Sequence, residues 1–586
     1  MKNKLFTSLI LPAIAISLCS CSIFTATTEK KINVYNLDKL GADGEISYCK
    51  TGEVKARFQK DQGYVPYLSL KQYASLYESH YADGVSTSIT KKDEYISWSV
   101  IKDGSIYFLT QIDLNKKEVI TVGSLDSVYK SDDDPRDLAA LYYNNHTEYD
   151  GEYLKSSPYA HYSFADQEID YFSYMGDYYL PLSFYDITYC FDTSLYFYYN
   201  YDAIYSSVTV DSFYEKDFFK RNQKYTVISE MNASKDDETI PSYLVDLNSN
   251  LFLYMLDNFY GLREYKGMTS AKEYCKAIGT YDRLFVTDGA IRSQAYAETL
   301  DRFDDNHTAL VAGSYAWGGQ SFVARQYGTG CLNRSALRGQ LNRIRKDTTS
   351  NGYQSASEAL ISDDGKTAMF LFNEFFYGSS EEVFNDDGTI KDTARNYDSY
   401  FNMLGFFKDL KALGTVENVI LDMSTNGGGV LGVLMKLLAL ISKNNVGNLY
   451  YLEAATQQVG IATTMVDSDG NSMFNADDCY GDDFNIYLLT SDCSFSCGNA
   501  FPCLAKRMGC AKVIGQKSGG GECAVAIHYL PNGEYVYHSS NLHIGYYDRE
   551  AKVFTGFESG AEPDILVSNT NDFFDINKLN ELIQNS

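Results

Sequence analysis

Positive charge is scarce in this chain. Fifty Lys and Arg face 77 Asp and Glu, a formal net charge of −27 at pH 7. A surface of that sign repels nucleic acid and anionic membrane surfaces, so no nucleic-acid partner is expected. Long apolar runs are scarce too. Beyond the first twenty residues no stretch reaches the ~18 apolar residues of a spanning helix. No C-x-x-C pair occurs among the 12 cysteines, which argues against zinc at the usual spacing. No metal and no cofactor is therefore expected. Histidine is rare, with 7 copies, so candidates for a general base are few.

What is present is aromatic. Tyr occurs 51 times, and aromatic residues make up 15% of the 586 positions. Such side chains suit pleated, half-buried surfaces and favour a large β content. The N-terminus has a basic "MKNK", an apolar "LFTSLILPAIAISL" and then "LCSC". This resembles a bacterial lipoprotein signal, with cleavage before Cys21 and lipid on its thiol. A plain secretory signal is the alternative. The expected location is extracytoplasmic, on the cell membrane and held there only by the lipid anchor. Export permits disulfides, yet a chain with a large core does not need them, and buried free thiols are expected instead.

The chain divides by texture. Residues 1–20 read as the signal, 21–35 as a tether, 36–235 as an aromatic β-rich module and 236–586 as an α/β domain. In the module, "DEYISWSVIKDGSIYFLTQID" carries two alternating runs around "KDG", a hairpin signal. "GYVPYLSLKQY" (63–73) lies over "DYYLPLSFYDI" (177–187) as a short internal repeat. It resembles the strand–helix signature of copper-amine-oxidase N-terminal-like modules, which implies binding or spacing rather than a reaction. "KSDDDPRD" (130–137) reads as a solvated loop.

From 236 onward strands alternate with helices, the pattern of an α/β sheet. Strands are expected at 366–375, 417–424, 484–490 and 511–515, with an amphipathic helix at 397–413. "CAVAIHYL-PNG-EYVYHSS" reads as a hairpin. "DSDGNSMFNADD" (467–478) resembles a calcium loop, but position six, where that pattern needs Gly, is Ser472. It reads as an acidic insertion between two strands.

Three features carry chemistry. "LDMSTNGGG" sets glycines between a buried strand and a helix, where backbone N–H groups can face a developing anion. Taken alone it is an ordinary turn, and without a following Lys-Ser/Thr it is no phosphate loop. "SDCSFSCGNAF" sets Ser496 between a strand and a helix; it is either a nucleophile or an N-cap. "RFDDNHTAL" carries His307 in a polar turn, either a base or a solvated side chain. His80, His146 and His161 fall in the N-terminal module. His528, His538 and His543 alternate through the C-terminal hairpin as surface or satisfied strand residues.

Taken together, "DDNHT", "TAMFLFNEF", "ENVILDMSTNGGG", "FSCGNAF", "AKVIGQKSGGG" and "SGAEPDILV" resemble the tail-specific (C-terminal-processing) serine peptidases. They are similar to the tricorn-core branch rather than the Ser/Lys branch, over roughly 240–570. The resemblance implies a crotonase-like (ClpP/crotonase-type) α/β peptidase core with a separate β-rich N-terminal module, acting on a peptide or protein substrate. It implies Ser496 as nucleophile and His307 as base. Gly428 or Gly429, with Cys497, would supply the oxyanion N–H groups. Glu558, with Glu562 second, would orient the pair. The chain departs from the family at Asn499, where a Glu is usual, at Asn306, where the tricorn branch has Ser, and at Gly521, where the sister branch has its Lys. No PDZ-like segment is found. Cys497 or Cys493 as nucleophile is the minor alternative. A catalytically inactive ligand- or peptide-binding lipoprotein on the same fold is the rival function, and an adhesin or solute-binding lipoprotein working through its N-terminal module is a further one.

Overall fold

The computed structural model describes residues 26–37, 48–125, 128–129, 142–143, 145–155, 159–193, 195–207, 240–314, 328–348, 359–385 and 387–586. Cys21 and the acidic loop at 130–137 lie outside the described residues. Among the described residues, no helix is long and apolar enough to cross a membrane.

The C-terminal half is built on a six-stranded sheet. Its order is Ala359–Ile361, Thr367–Leu371, Asn418–Asp422, Asn485–Thr490, Lys512–Gly515 and Ile565–Leu566, parallel throughout except for the first pair. The period of two sorts its side chains to opposite faces. Ala368, Phe370, Val419, Leu421, Leu488 and Val513 pack with the helices Ser399–Leu413, Leu431–Ile441 and Cys497–Met508. Met369, Leu371, Ile420, Leu489 and Ile514 pack on the other face with Leu341, Leu579 and Ile583, from the helices Thr329–Thr348 and Ile576–Gln584. Helices on both faces explain why these strands are apolar without alternation. The strand expected over 366–375 ends at Leu371, where the chain leaves the sheet toward the glycine turn.

The five parallel strands run into their loops at the same end of the sheet. Below the loop at 423–426 lies a buried ion pair, Arg345 Nη2 to Asp422 Oδ2 at 3.0 Å. Arg345 also donates to Thr425 Oγ1 (3.1 Å), and the Ser424 amide and hydroxyl donate to Asp422 Oδ1.

The N-terminal region is β-rich, with sheets of its own. Five strands form one, containing the expected hairpin: Tyr95–Lys102 and Ser105–Asp113 meet at Asp103 (φ 51°) and Gly104 (φ 78°). Two left-handed residues are what a tight two-residue hairpin needs. Seven strands form the other. The internal repeat proves structural here. Tyr67–Ser69 leads into helix Leu70–Ser75, and Asp177–Pro181 leads into helix Leu182–Thr193. The two strands pair antiparallel, Tyr67 opposite Pro181, and the Leu182 amide donates to the Pro66 carbonyl. Each repeat thus meets its equivalent across a local pseudo-dyad, with Tyr73 stacked on Tyr185 at 4.7 Å.

Two boundaries differ from the sequence reading. Thr27–Leu37, mostly assigned to a tether, is a strand paired along its length with Tyr48–Gln59, because Ile32 and Val34 alternate into the core. The division at 235/236 also cuts across contacts. Thr147–Lys155 joins the sheet of the C-terminal half beside Gln458–Val466, and helix Ser242–Phe259 packs in the apolar cluster of the N-terminal strands.

Truncating Arg345 strands the Asp422 carboxylate in an apolar layer. Arg345→Ala is expected to cost about 3–5 kcal/mol in urea unfolding, the usual price of an unpaired buried charge. A loss below ~1 kcal/mol would show that the pair carries little of the fold.

Candidate active site

Strand Asn485–Thr490 and helix Cys497–Met508 are joined by six residues that supply every hydroxyl of the "SDCSFSC" stretch and one of its two thiols, the other being Cys497 at the start of the helix. Most are committed to structure. Ser491 Oγ donates to the Ser424 carbonyl (2.6 Å) and Ser494 Oγ to the Met423 carbonyl (2.7 Å). Cys493 Sγ lies 3.2 Å from the Arg334 carbonyl. Cys497 Sγ lies 3.0 Å from the Gly429 carbonyl, and burial pushes its thiol up to about 12, so a nucleophilic thiolate is disfavoured. All nine described cysteines outside Cys49 are buried and none is in a disulfide.

Ser496 is different. It is half-buried, and its hydroxyl does not cap the helix it precedes. Its backbone sits at φ 58°, ψ −126°, a region side-chain-bearing residues rarely adopt. This is a sharp strand-to-helix turn, a geometry that can expose a side-chain oxygen. Three backbone bonds hold it: Phe495 N–H to the Asn426 carbonyl (3.0 Å), Ser496 N–H to the Gly520 carbonyl (3.0 Å), and Gly498 N–H to the Phe495 carbonyl (2.9 Å).

The glycine turn lies directly against it. A Cβ on Gly428 would stand 2.7 Å from Ser496 Cβ and 3.0 Å from the Cys497 amide nitrogen, and Gly428 has φ 108°. Only glycine fits there. Its own N–H, however, donates to Asn426 Oδ1 at 2.8 Å and so is committed. Gly429 sits one residue further on, bridged to Phe375. The Cys497 amide opens the helix that follows.

His307 is 9% exposed, with its ring 4.7 Å from the ring of Phe495, the residue preceding Ser496. Its Nδ1 is buried without a hydrogen-bond partner. Its amide donates to Asp305 Oδ1 (2.9 Å), while Asp305 Oδ2 accepts from the hydroxyls of Thr308 (2.6 Å) and Ser539 (2.7 Å). Burial lowers the His307 pKa below the ordinary imidazole value, with the Asp305 charge partly opposing it.

Glu558 reaches the same loops but faces elsewhere. Its Oε2 accepts from the amides of Gly521 and Glu522, both at 3.0 Å, and burial raises its pKa to about 7. No hydrogen bond joins it to His307. Glu562 is on the surface, paired with Lys517 Nζ at 2.6 Å. Asn306 is exposed. Asn499 is fully buried and ties the helix to the loop after 556, donating to the Phe557 carbonyl (2.9 Å) and accepting from Ser518 Oγ (2.7 Å). A Cβ on Gly521 would stand 2.5 Å from the Phe495 ring on a backbone at φ 84°, so a lysine there would have to displace the ring from a strained position.

His528 and His538 are satisfied strand residues, not surface ones. His528 Nδ1 lies 2.8 Å from His538 Nε2, and the outer nitrogens face the Ile187 (3.1 Å) and Ser539 (3.0 Å) carbonyls. The chain of contacts runs from the N-terminal region through this pair to Ser539, Asp305 and His307.

Two groups of side chains among the described residues could hold a metal ion: Glu522, Cys523 and His543, and Asp467, Asp469 and Asp478. In the second, Asp467 accepts from the amides of Gly470, Asn471 and Ser472, and Asp478 from those of Ser468, Asp469 and Asn475. Ser472 takes φ 63°, so the turn that glycine would ease forms with serine.

Residues 388–567 match the family model for Peptidase family S41. This span holds Ser496, Gly428, Gly429, Cys497 and Glu558, while His307 lies before it. The chain is thus a serine-type peptidase, with part of its C-terminal half similar to that family. No curated protein matches it by sequence. Among solved structures, a candidate peptidase from Parabacteroides merdae ATCC 43184 shares 16% identity at TM-score 0.40, covering 58% of this chain and 96% of that one. Mature CPAF complexed with lactacystin shares 11% at 0.38, over 58% and 98%. The tricorn protease shares 11% at 0.29, over 95% and 59%.

The strained turn gives a prediction. Glycine relieves a positive-φ strain of about 1–3 kcal/mol at the expense of chain entropy. Ser496→Gly is therefore expected to unfold at equal or higher denaturant than Ser496→Ala, with both inactive. A clearly less stable Ser496→Gly would contradict the backbone reading.

Proposed function

We propose that the protein is an exported serine endopeptidase, anchored through Cys21, that cleaves peptide bonds through an acyl-enzyme on Ser496 with His307 as base. The observation that carries this is Ser496 itself: a half-buried hydroxyl, free of capping duty, on a strained turn that the Gly428 turn packs against.

The chemistry follows. A serine hydroxyl attacks poorly until a neighbour takes its proton. Neutral His307 accepts the Oγ proton as Oγ bonds to the scissile carbonyl carbon. Negative charge passes to the carbonyl oxygen, where the Gly429 and Cys497 amides donate; one such donor typically contributes about 3–4 kcal/mol. Collapse expels the amine, which takes the proton from His307 and leaves an ester on Ser496. Water, deprotonated by the same imidazole, then releases the acid. Two features support a histidine base and a tricorn-like, crotonase-type core over the Ser/Lys arrangement. A side chain at Gly521 would have to displace the Phe495 ring, and Lys517 is tied to Glu562 at the surface. Glu558 acts in this reading on the loop that carries Gly520 and Gly521, not on the imidazole.

Only neutral imidazole serves as base, and burial favours that form. Activity on an unfolded protein substrate should therefore rise with pH through one ionisation below the ordinary ~6.5 and be flat at neutral pH. His307→Ala should lose orders of magnitude in kcat, because base and nucleophile act as a unit. Lys517→Ala should match wild type. An active His307→Ala beside a dead Lys517→Ala would replace this assignment with a Ser/Lys dyad.

A further inference from the structure

Glu522, Cys523 and His543 are used by none of these steps, yet their donor atoms all lie within 4.8 Å of one another. Cys523 and His543 are direct cross-strand partners, on Cys523–Tyr529 and Tyr535–Asp548, so both side chains leave the same face of the sheet. Glu522 precedes Cys523 and is fixed alongside, its carbonyl accepting from the Ile544 amide (2.8 Å).

We propose that these three residues form a binding site for one zinc-class divalent cation. Thiolate, imidazole and carboxylate together are the ligand set such an ion takes. His543 Nδ1 lies 2.7 Å from Glu522 Oε1, and Cys523 Sγ lies 3.7 Å from Nδ1 and 3.9 Å from Nε2. Zinc bonds of about 2.0 Å to nitrogen and 2.3 Å to sulfur put those two atoms roughly 3.5 Å apart in a tetrahedron, close to the spacing present. The carboxylate must withdraw by about half an ångström, since an ion replaces its hydrogen bond to the ring.

The ligands are held from behind. Glu522 Oε2 accepts from the Glu558 amide (2.8 Å), which leaves Oε1 to the ion. Gly261 packs at the other end of the ring, where a Cβ would stand 3.1 Å from Nε2. Such support fixes the ligands' orientation. The His543 and Glu522 side chains are 12% and 11% exposed, and Cys523 is buried beneath them. Binding forms metal bonds to Sγ, Nδ1 and Oε1. The thiol proton leaves to solvent, and the proton on Nδ1 leaves or moves to Nε2. The fourth tetrahedral position is left to water. Because the Gly520 carbonyl accepts the Ser496 N–H, an ion at 522–523 would pin the loop that holds the nucleophile. That consequence rests on the peptidase reading; the site itself does not.

The test is a cobalt(II) titration of the reduced, chelator-stripped full chain. A near-ultraviolet thiolate-to-cobalt band should grow, saturate at one equivalent and bleach on adding zinc. Cys523→Ser should abolish it and Cys503→Ser, another buried thiol, should keep it. His543→Gln should weaken cobalt by more than about a hundredfold, since even supporting residues usually cost 10–100-fold. If Cys523→Ser does not fold, zinc should still raise the melting temperature of wild type and not of His543→Gln. No band in folded, reduced wild type, or a band that survives Cys523→Ser or is unmoved by His543→Gln, overturns the site. Peptidase activity enters neither outcome.

Discussion

The backbone of Ser496 is held in a conformation it would not choose, and much of the C-terminal half serves to hold it. The Phe495 amide bonds to Asn426, the Ser496 amide to Gly520, and Gly428 closes against the serine's Cβ. Asn426 in turn donates through Nδ2 to the Phe372 carbonyl, and Ser491 and Ser494 bond back to residues 423–424. Strain of this kind persists only where neighbours over-determine it. Here three loops at one end of a parallel sheet do so, and the buried Arg345–Asp422 pair anchors the middle one.

The N-terminal region is not merely appended. Its strand Thr147–Lys155 extends a sheet whose long strand Tyr535–Asp548 carries Ser539, the residue that fixes Asp305 below His307. The Ile187 carbonyl, at the end of the second repeat, receives His528. The loop that carries His307 therefore depends on packing between halves of the chain. This gives a physical reason for the position of His307, upstream of the matched peptidase span.

Much of the core was legible because parallel strands buried on both faces leave a strong trace. "ENVILDMS" and "FNIYLLT" fall on their strands within two residues, and the "KDG" hairpin forms at the expected turn. The turn at Ser496 was legible because a strand-to-helix junction is local. What stayed hidden is long-range. That the Gly428 amide is spent on Asn426, that Glu558 faces Gly521 and Glu522, and that Cys523 meets His543 all depend on register between distant strands. The strand at 27–37 was missed because its alternation, with Lys30 and Lys31 exposed beside Ile32 and Val34, looks like a polar tether when no partner strand is in view.

The central claim is that Ser496 is an activated nucleophile. Its most direct measurement is intact-mass analysis after treatment with a fluorophosphonate, followed by mapping of the modified peptide. One adduct per chain, located on Ser496 and absent from the Ser496→Ala protein, is the predicted result. A folded wild-type chain that takes up no adduct, or carries it on Cys497 or another residue, would contradict the account.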